Sequence, residues 1–326
     1  MSLPVQPVSV QLPEDEMRIR FEADETIVFA SSSGHCNLDC SYCVASPVVK
    51  LQPSLDYDDL MFLKERVGGR VFFIFSGRGD FFAGYKKSDR LLARLLENED
   101  VSVALDINGV VIHCFPELTV AQRARVRHVN LTFHYRQLKE HRALEVWRRN
   151  ALTLLQLHDN PDFFVNFILA PTESEDWNEA LHWYREHLFA AFPKRLVLIN
   201  DVLTPFGAEQ EARLRALQQA HADLLYTVRR GNFASLLSAF DHVSCPAGQS
   251  YFRVWNDGAV EACPNVAELR HHGNLKHREF WPRTEPFLCG DVRHCDCYHI
   301  ASSGRMQFFK GGLPPGANRV IPLQPA

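Results

Sequence analysis

Residues 34–43 read Gly34-His35-Cys36-Asn37-Leu38-Asp39-Cys40-Ser41-Tyr42-Cys43, and they place three cysteines within eight residues. The apolar run Thr26–Ala30 precedes them and predicts a strand, so the cysteines lie in the loop that follows it. Such a loop can wrap around a cubane cluster and offer one thiolate to each of three irons. The fourth iron stays open, because no further cysteine occurs before Cys114. An open metal position is typical of catalytic sites, and a closed structural zinc knuckle is the alternative.

Downstream of this loop, short apolar runs alternate with helical patterns. Including the first run, predicted strands cover Thr26–Ala30, Val71–Phe75, Val101–Ile107, His128–Phe133, Phe163–Leu169 and Arg195–Ile199. Predicted helices cover Asp56–Val67, Ser88–Glu97, Gln137–His158, Ser174–Phe189 and Glu209–Val228. Strand followed by helix, repeated six times, predicts an α/β fold with parallel strands and crossover helices. Six units favour a partial (β/α)6 TIM-like barrel, and a doubly wound sheet is the competing topology.

Helical periodicity fades after about residue 240. Tyr251–Trp255 and Ala259–Ala262 flank Asn256-Asp257-Gly258, a pattern that predicts a hairpin. Five of the nine cysteines lie in this part of the chain, at Cys245, Cys263, Cys289, Cys295 and Cys297. So few apolar residues predict a small domain held by metal. We therefore expect an N-terminal extension over 1–25, a barrel over 26–235, a metal-held domain over 240–300 and a tail over 301–326.

Composition narrows the classes of partner. The net charge of −4 gives no support for a nucleic-acid partner, and hydrophobic residues, at 46%, suffice for a sizeable core. No run of 18 apolar residues occurs, so we expect no membrane-spanning helix. The first 24 residues lack the basic start and apolar stretch of a secretory signal, which predicts a cytoplasmic location.

The pattern Cys-x3-Cys-x2-Cys, with Tyr42 before the last cysteine and a repeated βα chain behind it, resembles the radical S-adenosylmethionine superfamily. The resemblance implies that Cys36, Cys40 and Cys43 bind a [4Fe–4S] cluster whose open iron is chelated by S-adenosylmethionine. It also implies that one electron from the cluster cleaves this cofactor to a 5′-deoxyadenosyl radical, which abstracts hydrogen from a substrate. An electron donor such as a flavodoxin or ferredoxin is the implied partner.

Strand-end residues match the family's cofactor-binding positions. After the second strand an arginine separates the two glycines, and aspartate replaces the family's usual glutamate. The resemblance implies that S-adenosylmethionine is bound by Tyr42, Gly77, Gly79, Asp80, Asn108, Thr132, His134 and Asn166. Cys114 is a candidate hydrogen-atom donor, and the alternative is a small buried hydrophobic residue.

The later cysteines resemble the start of the auxiliary-cluster domain called SPASM, or Twitch in its shortened form. The resemblance implies one auxiliary [4Fe–4S] cluster rather than two, because the full form has seven cysteines. The expected ligands are Cys245, Cys263 and Cys297, with Cys295 ahead of Cys289 for the fourth position. A tetrahedral zinc site is the alternative.

Two substrate classes follow from the resemblance. The first is a ribosomally synthesised precursor peptide, which the enzyme would cross-link, epimerise or oxidise. The second is a small molecule, such as an aminocyclitol or sugar alcohol, which it would dehydrogenate. We predict the peptide, and a non-catalytic metal-binding scaffold is the third interpretation.

Overall fold

The computed structural model describes residues 21–22, 24–31, 35–43, 55–77, 79–85, 90–157, 163–200, 204–227, 240–263, 265–289 and 306–309. The chain divides into two compact units. One unit comprises Ala30–Ser54 and Phe73–Val228, and the other comprises Met1–Phe29, Leu55–Phe72 and Arg229–Ala326. In the described part of the chain, no helix has both the length and the apolar character needed to span a bilayer.

Strands and helices alternate through the first two thirds of the chain. The strands are β1 (Glu25–Ser31), β2 (Arg70–Ser76), β3 (Val101–Ile107), β4 (Val126–Phe133), β5 (Phe163–Leu169), β6 (Leu196–Asn200), β7 (Leu225–Thr227), β8 (His242–Cys245), β9 (Tyr251–Val254), β10 (Val260–Glu261), β11 (Gly273–Asn274), β12 (Glu279–Phe280), β13 (Phe287–Cys289) and β14 (Gln307–Phe309). The helices are α1 (Tyr57–Val67), α2 (Phe81–Gly84), α3 (Leu91–Leu95), α4 (Val120–Ala124), α5 (Tyr135–Glu140), α6 (Leu144–Leu157), α7 (Trp177–Tyr184) and α8 (Ala208–Ala220).

The fold is mixed α/β. Its main sheet has nine strands among the described residues, in the order β10-β9-β1-β2-β3-β4-β5-β6-β7. Neighbouring strands from β3 to β7 pair in parallel. From β1 to β7 the spatial order follows the chain order, whereas the order of a doubly wound sheet reverses at its switch point. The competing topology is therefore excluded. The predicted hairpin is confirmed, since β9 and β10 pair antiparallel with Val254 opposite Val260.

Two sequence predictions about helices are wrong. The predicted helix Glu209–Val228 stops at Ala220, and Leu225–Thr227 instead forms β7, which pairs in parallel with β6. Tyrosine and threonine fit a pleated surface, and a neighbouring strand edge gives this segment hydrogen-bonding partners. The predicted helix Gln137–His158 is two helices, α5 and α6, because the chain turns at Arg142 with φ of 54°.

Side chains on the central strands alternate between an apolar face and a polar face. On β4, Val129, Leu131 and Phe133 are fully buried, whereas Asn130 and Thr132 are half-buried on the opposite face. Successive side chains of a strand point to opposite sides, so the two faces follow from the sequence. The parallel register places Asp106 beside Asn130 and Thr132 beside Asn166. Polar groups from three neighbouring strands therefore share one face near the strands' carboxyl ends.

Candidate functional site

A cavity of about 330 Å³ lies where this polar face meets the cysteine loop. Its lining comes entirely from the unit that contains β3 to β7. The cavity brings together all the residues that the sequence predicted to bind the first cluster or S-adenosylmethionine: Cys36, Cys40, Tyr42, Cys43, Gly77, Gly79, Asp80, Asn108, Thr132, His134 and Asn166. The lining also includes five residues that the sequence did not single out: Leu38, Asp106, Ile107, Ile168 and Ile199.

The cysteine loop is attached to two strand ends by hydrogen bonds. The amide of Asp80, after β2, donates to the carbonyl of His35 at 2.6 Å. The side-chain amide of Asn108, after β3, donates to Asn37 Oδ1 at 2.6 Å and lies 3.5 Å from the sulfur of Cys36. Within the loop, the Cys43 amide donates to the Cys40 carbonyl at 3.1 Å. These bonds hold the three thiols on one wall of the cavity.

The thiol of Cys40 is buried and those of Cys36 and Cys43 are half-buried, and the three are close enough to influence one another. Burial raises the pKa of Cys36, and burial together with charge on the neighbouring thiols raises that of Cys40 to about 12. The neutral thiol form is thus favoured until a cation binds, because a coordinated thiol loses its proton. A metal-containing group supplies the missing positive charge, and three thiols are the donor set that an iron–sulfur cluster takes.

No group of three or more His, Cys, Asp or Glu side chains in the described ranges is arranged around a single ion position. A zinc ion draws its ligands to about 2.0–2.3 Å from one point. In an iron–sulfur cluster each thiolate binds a different iron, so the ligands do not converge on a single point.

The turn after β2 exposes backbone to the cavity. Gly77 has φ of 90° and Gly79 has φ of 87°, a backbone region that glycine occupies without strain. A Cβ atom at Gly77 would meet no atom within 4 Å, so this glycine borders open space. Asp80 is the N-cap of α2, and its side chain accepts from the amides of Ala83 at 2.9 Å and Asn108 at 2.6 Å. Burial raises the pKa of Asp80 to about 6, and a carboxylate has further lone pairs for a ligand.

A row of hydrogen bonds leads from the cavity into the protein. The Tyr42 hydroxyl lies 2.7 Å from His134 Nδ1 and 3.3 Å from Gln137 Oε1. Gln137 Nε2 donates to Glu173 Oε1 at 2.7 Å, and His134 Nδ1 lies 3.5 Å from the Cys40 sulfur. Burial lowers the pKa of His134 to about 4 and raises the pKa of Glu173. Sequence reasoning missed Gln137 and Glu173, because neither stands at a strand end or in a motif.

A second polar group lies on the strand face of the cavity. Asn130 Nδ2 donates to the Asp106 carboxylate at 2.7 Å, and burial raises the pKa of Asp106. The side-chain oxygen of Asn166 is buried and has no hydrogen-bond partner among the described residues. Asp106 was also missed, although its position two residues before Asn108 places it on the polar face of β3. This wall offers hydrogen-bond acceptors to a ligand.

The other predicted site residues lie elsewhere. Cys114 is buried with φ of 72° and is not among the residues that line the cavity. Cys245 on β8 pairs with Phe287, and Val243 pairs with Cys289, so Cys245 and Cys289 share one face of that ladder. Cys263 follows β10 and is partly exposed. Cys295 and Cys297 lie outside the described residues. The roles of these five later cysteines and of Cys114 stay predictions.

Comparisons with known proteins give low similarities. No protein-family model matches the chain. No curated protein matches it. One similar solved structure is described as native anSMEcpe with bound AdoMet and Cp18Cys peptide; it shares 15% identity over 77% of each chain, with a TM-score of 0.47. Another is described as BtrN in complex with AdoMet and 2-DOIA; it shares 13% identity over 86% of each chain, with a TM-score of 0.34.

Proposed function

We propose that this protein is a radical S-adenosylmethionine enzyme. The observation that carries the proposal is the cavity itself, in which three thiols, one buried and two half-buried, meet polar groups from the ends of successive strands. Ligands of parallel α/β sheets bind at the carboxyl ends of the strands, so this is the expected place for an active site. Cys36, Cys40 and Cys43 would hold a [4Fe–4S] cluster.

The bound cluster and S-adenosylmethionine would supply a 5′-deoxyadenosyl radical that abstracts hydrogen from a substrate. The chain's own residues would bind and orient the reactants and exclude water. Gly77 and Gly79 let a ligand approach the backbone closely, and Asn108 fixes the cysteine loop against β3. Tyr42, Thr132 and His134 also line the cavity and would contact the cofactor there.

The leading substrate class is a ribosomally synthesised precursor peptide, which rests on the resemblance of the later cysteines to an auxiliary-cluster domain. We place one auxiliary [4Fe–4S] cluster on Cys245, Cys263, Cys297 and either Cys295 or Cys289. The shared face of Cys245 and Cys289 supports including Cys289. A flavodoxin or ferredoxin would deliver the electron.

The second candidate is a small alcohol, which one observation favours. The cavity wall presents the Asp106 carboxylate and the unpartnered oxygen of Asn166. Hydroxyl and amine groups are the donors that such acceptors bind, and a compact polyol or aminocyclitol carries several of them.

Anaerobic reconstitution with iron and sulfide tests the proposal. We expect about eight iron atoms per chain for two cubane clusters, and 5′-deoxyadenosine after addition of reductant and S-adenosylmethionine. The same mixture without reductant should yield none. Protein that takes up zinc but no iron, or iron-loaded protein that leaves the cofactor intact, would overturn the assignment.

A cell extract can separate the two substrate classes. For a peptide substrate, extract should raise 5′-deoxyadenosine formation above the background, and protease treatment of the extract should remove that effect. For a small alcohol, the stimulation should survive protease treatment and pass through an ultrafiltration membrane.

A further inference from the structure

We infer that Glu173, acting through Gln137 and Tyr42, fixes the tautomer of His134 with the proton on Nδ1, so that Nε2 offers its lone pair to a ligand in the cavity. Neutral imidazole carries its proton on one nitrogen and accepts on the other. Which nitrogen carries it is set by the hydrogen bond at its partner. The hydrogen bonds that join His134, Tyr42, Gln137 and Glu173 all donate in one direction, which is set at the buried end of the row.

The buried end of the row is a carboxylate. Glu173 is 6% exposed and Gln137 is 4% exposed, so neither exchanges its partner freely for water. An ionised carboxylate only accepts, and Gln137 Nε2 therefore donates to it at 2.7 Å. Burial raises the pKa of Glu173, and the hydrogen bond from Gln137 and the positive charge of Arg136, which pairs with Glu175 and Asp176, oppose that rise.

The carboxylate orients the Gln137 side chain and hence the Tyr42 proton. With its nitrogen at Glu173, the amide turns its oxygen toward the Tyr42 hydroxyl at 3.3 Å. An amide oxygen has no proton to give, so the single hydroxyl proton of Tyr42 is donated to Gln137. The reverse arrangement would set two oxygen acceptors against each other with no hydrogen between them.

The hydroxyl oxygen of Tyr42 is then an acceptor for His134. Nδ1 lies 2.7 Å from it, so Nδ1 carries the proton. The same N–H lies 3.5 Å from the Cys40 sulfur and can also donate weakly to it. The ring lines the cavity, and no described residue hydrogen-bonds to its Nε2. That nitrogen is thus free to accept from a hydroxyl or ammonium group of a ligand.

The direction of the protons does not depend on the proposed function, whereas the identification of the ligand as S-adenosylmethionine or its co-substrate rests on it. Gln137 and Glu173 are positioning residues, because both act through other side chains and neither lines the cavity.

Nitrogen-15 NMR of the full-length chain, labelled at histidine, tests the direction. In iron-free wild-type protein at neutral pH we expect the His134 signals of an Nδ1-protonated ring, assigned by their loss in His134→Asn. Glu173→Gln has nearly the same shape but can also donate, so it should give a mixture of both tautomers. Tyr42→Phe removes the acceptor at Nδ1 and should also give a mixture. Glu145→Gln changes an exposed carboxylate paired with Arg148 and should leave the His134 signals unchanged.

An Nε2-protonated ring in the wild type would overturn the inference, as would an unchanged tautomer in Glu173→Gln. The second readout is binding of S-adenosylmethionine to reconstituted protein, where Glu173→Gln should raise Kd roughly five-fold, the effect of one net hydrogen bond. If Glu173→Gln alters the tautomer of His134 but leaves Kd unchanged, S-adenosylmethionine is not the ligand of Nε2, although the direction of the protons stands. Wild-type protein that neither binds nor cleaves the cofactor would instead count against the proposed function.

Discussion

Cys40→Ala is expected to lose the first cluster and to reduce 5′-deoxyadenosine formation by more than about 100-fold. Substitutions behind a metal ligand typically cost 10–100-fold in affinity or activity, and removal of a ligand itself should cost more. Cys40 is buried in the cavity wall and its thiol interacts with those of Cys36 and Cys43. Its removal would leave a second iron of the proposed cluster without a protein ligand, and the cluster would then be lost more readily. Iron content and product formation after anaerobic reconstitution are the measurements.

The matched control is Cys114→Ser. Cys114 is also buried, but it does not line the cavity, so the variant should keep the wild-type iron content and still cleave S-adenosylmethionine. Cys40→Ala itself should retain about four iron atoms, those of the proposed auxiliary cluster. Wild-type iron and product in Cys40→Ala would show that this thiol is no ligand.

Trp147→Ala is expected to lower the free energy of unfolding by about 3–5 kcal/mol, the usual cost of deleting a large buried aromatic side chain. Trp147 is fully buried on α6, and its ring lies 4.6 Å from that of Phe133 between centroids. Its indole nitrogen donates to the Thr132 carbonyl at 3.3 Å. The substitution therefore removes both packing and a hydrogen bond behind the end of β4.

Denaturant unfolding followed by circular dichroism measures this loss. Val120→Ala is the control, because Val120 is 74% exposed and its truncation should change stability by less than about 0.5 kcal/mol. A loss below about 1 kcal/mol in Trp147→Ala would show that this aromatic contact does not support the strand end.

The sequence predicted individual strands well where an apolar run was distinct. Val101–Ile107 matches β3 to the residue and has apolar residues at alternate positions, and the almost continuously apolar run Phe163–Leu169 matches β5 to the residue. It did not separate the two sheet topologies, since periodicity carries no information about which strands are neighbours. The short strand Leu225–Thr227 was missed because three residues give no period, and its pairing with β6 is a tertiary effect.

The sequence predicted the residues of the candidate site that lie at strand ends. It did not predict the residues that lie behind them. The cysteine loop and the turns after β2, β3 and β4 have motifs that can be read directly. Glu173 comes from the 3-10 turn Pro171–Glu173 and reaches Gln137 on α5, a contact between segments 36 residues apart. Nothing local in the sequence marks such a buried polar pair, because its meaning depends on what the fold places opposite it.

Electron paramagnetic resonance of the reduced, reconstituted protein, recorded before and after addition of S-adenosylmethionine, tests the central claim most directly. In the proposed site, three cysteine ligands would leave one iron of the first cluster open. Binding of the cofactor to that iron should therefore shift the signal in the wild type, and the shift should be absent in Cys40→Ala. A wild-type cluster signal that S-adenosylmethionine leaves unchanged would contradict the account, as would a protein that binds no iron at these three thiols.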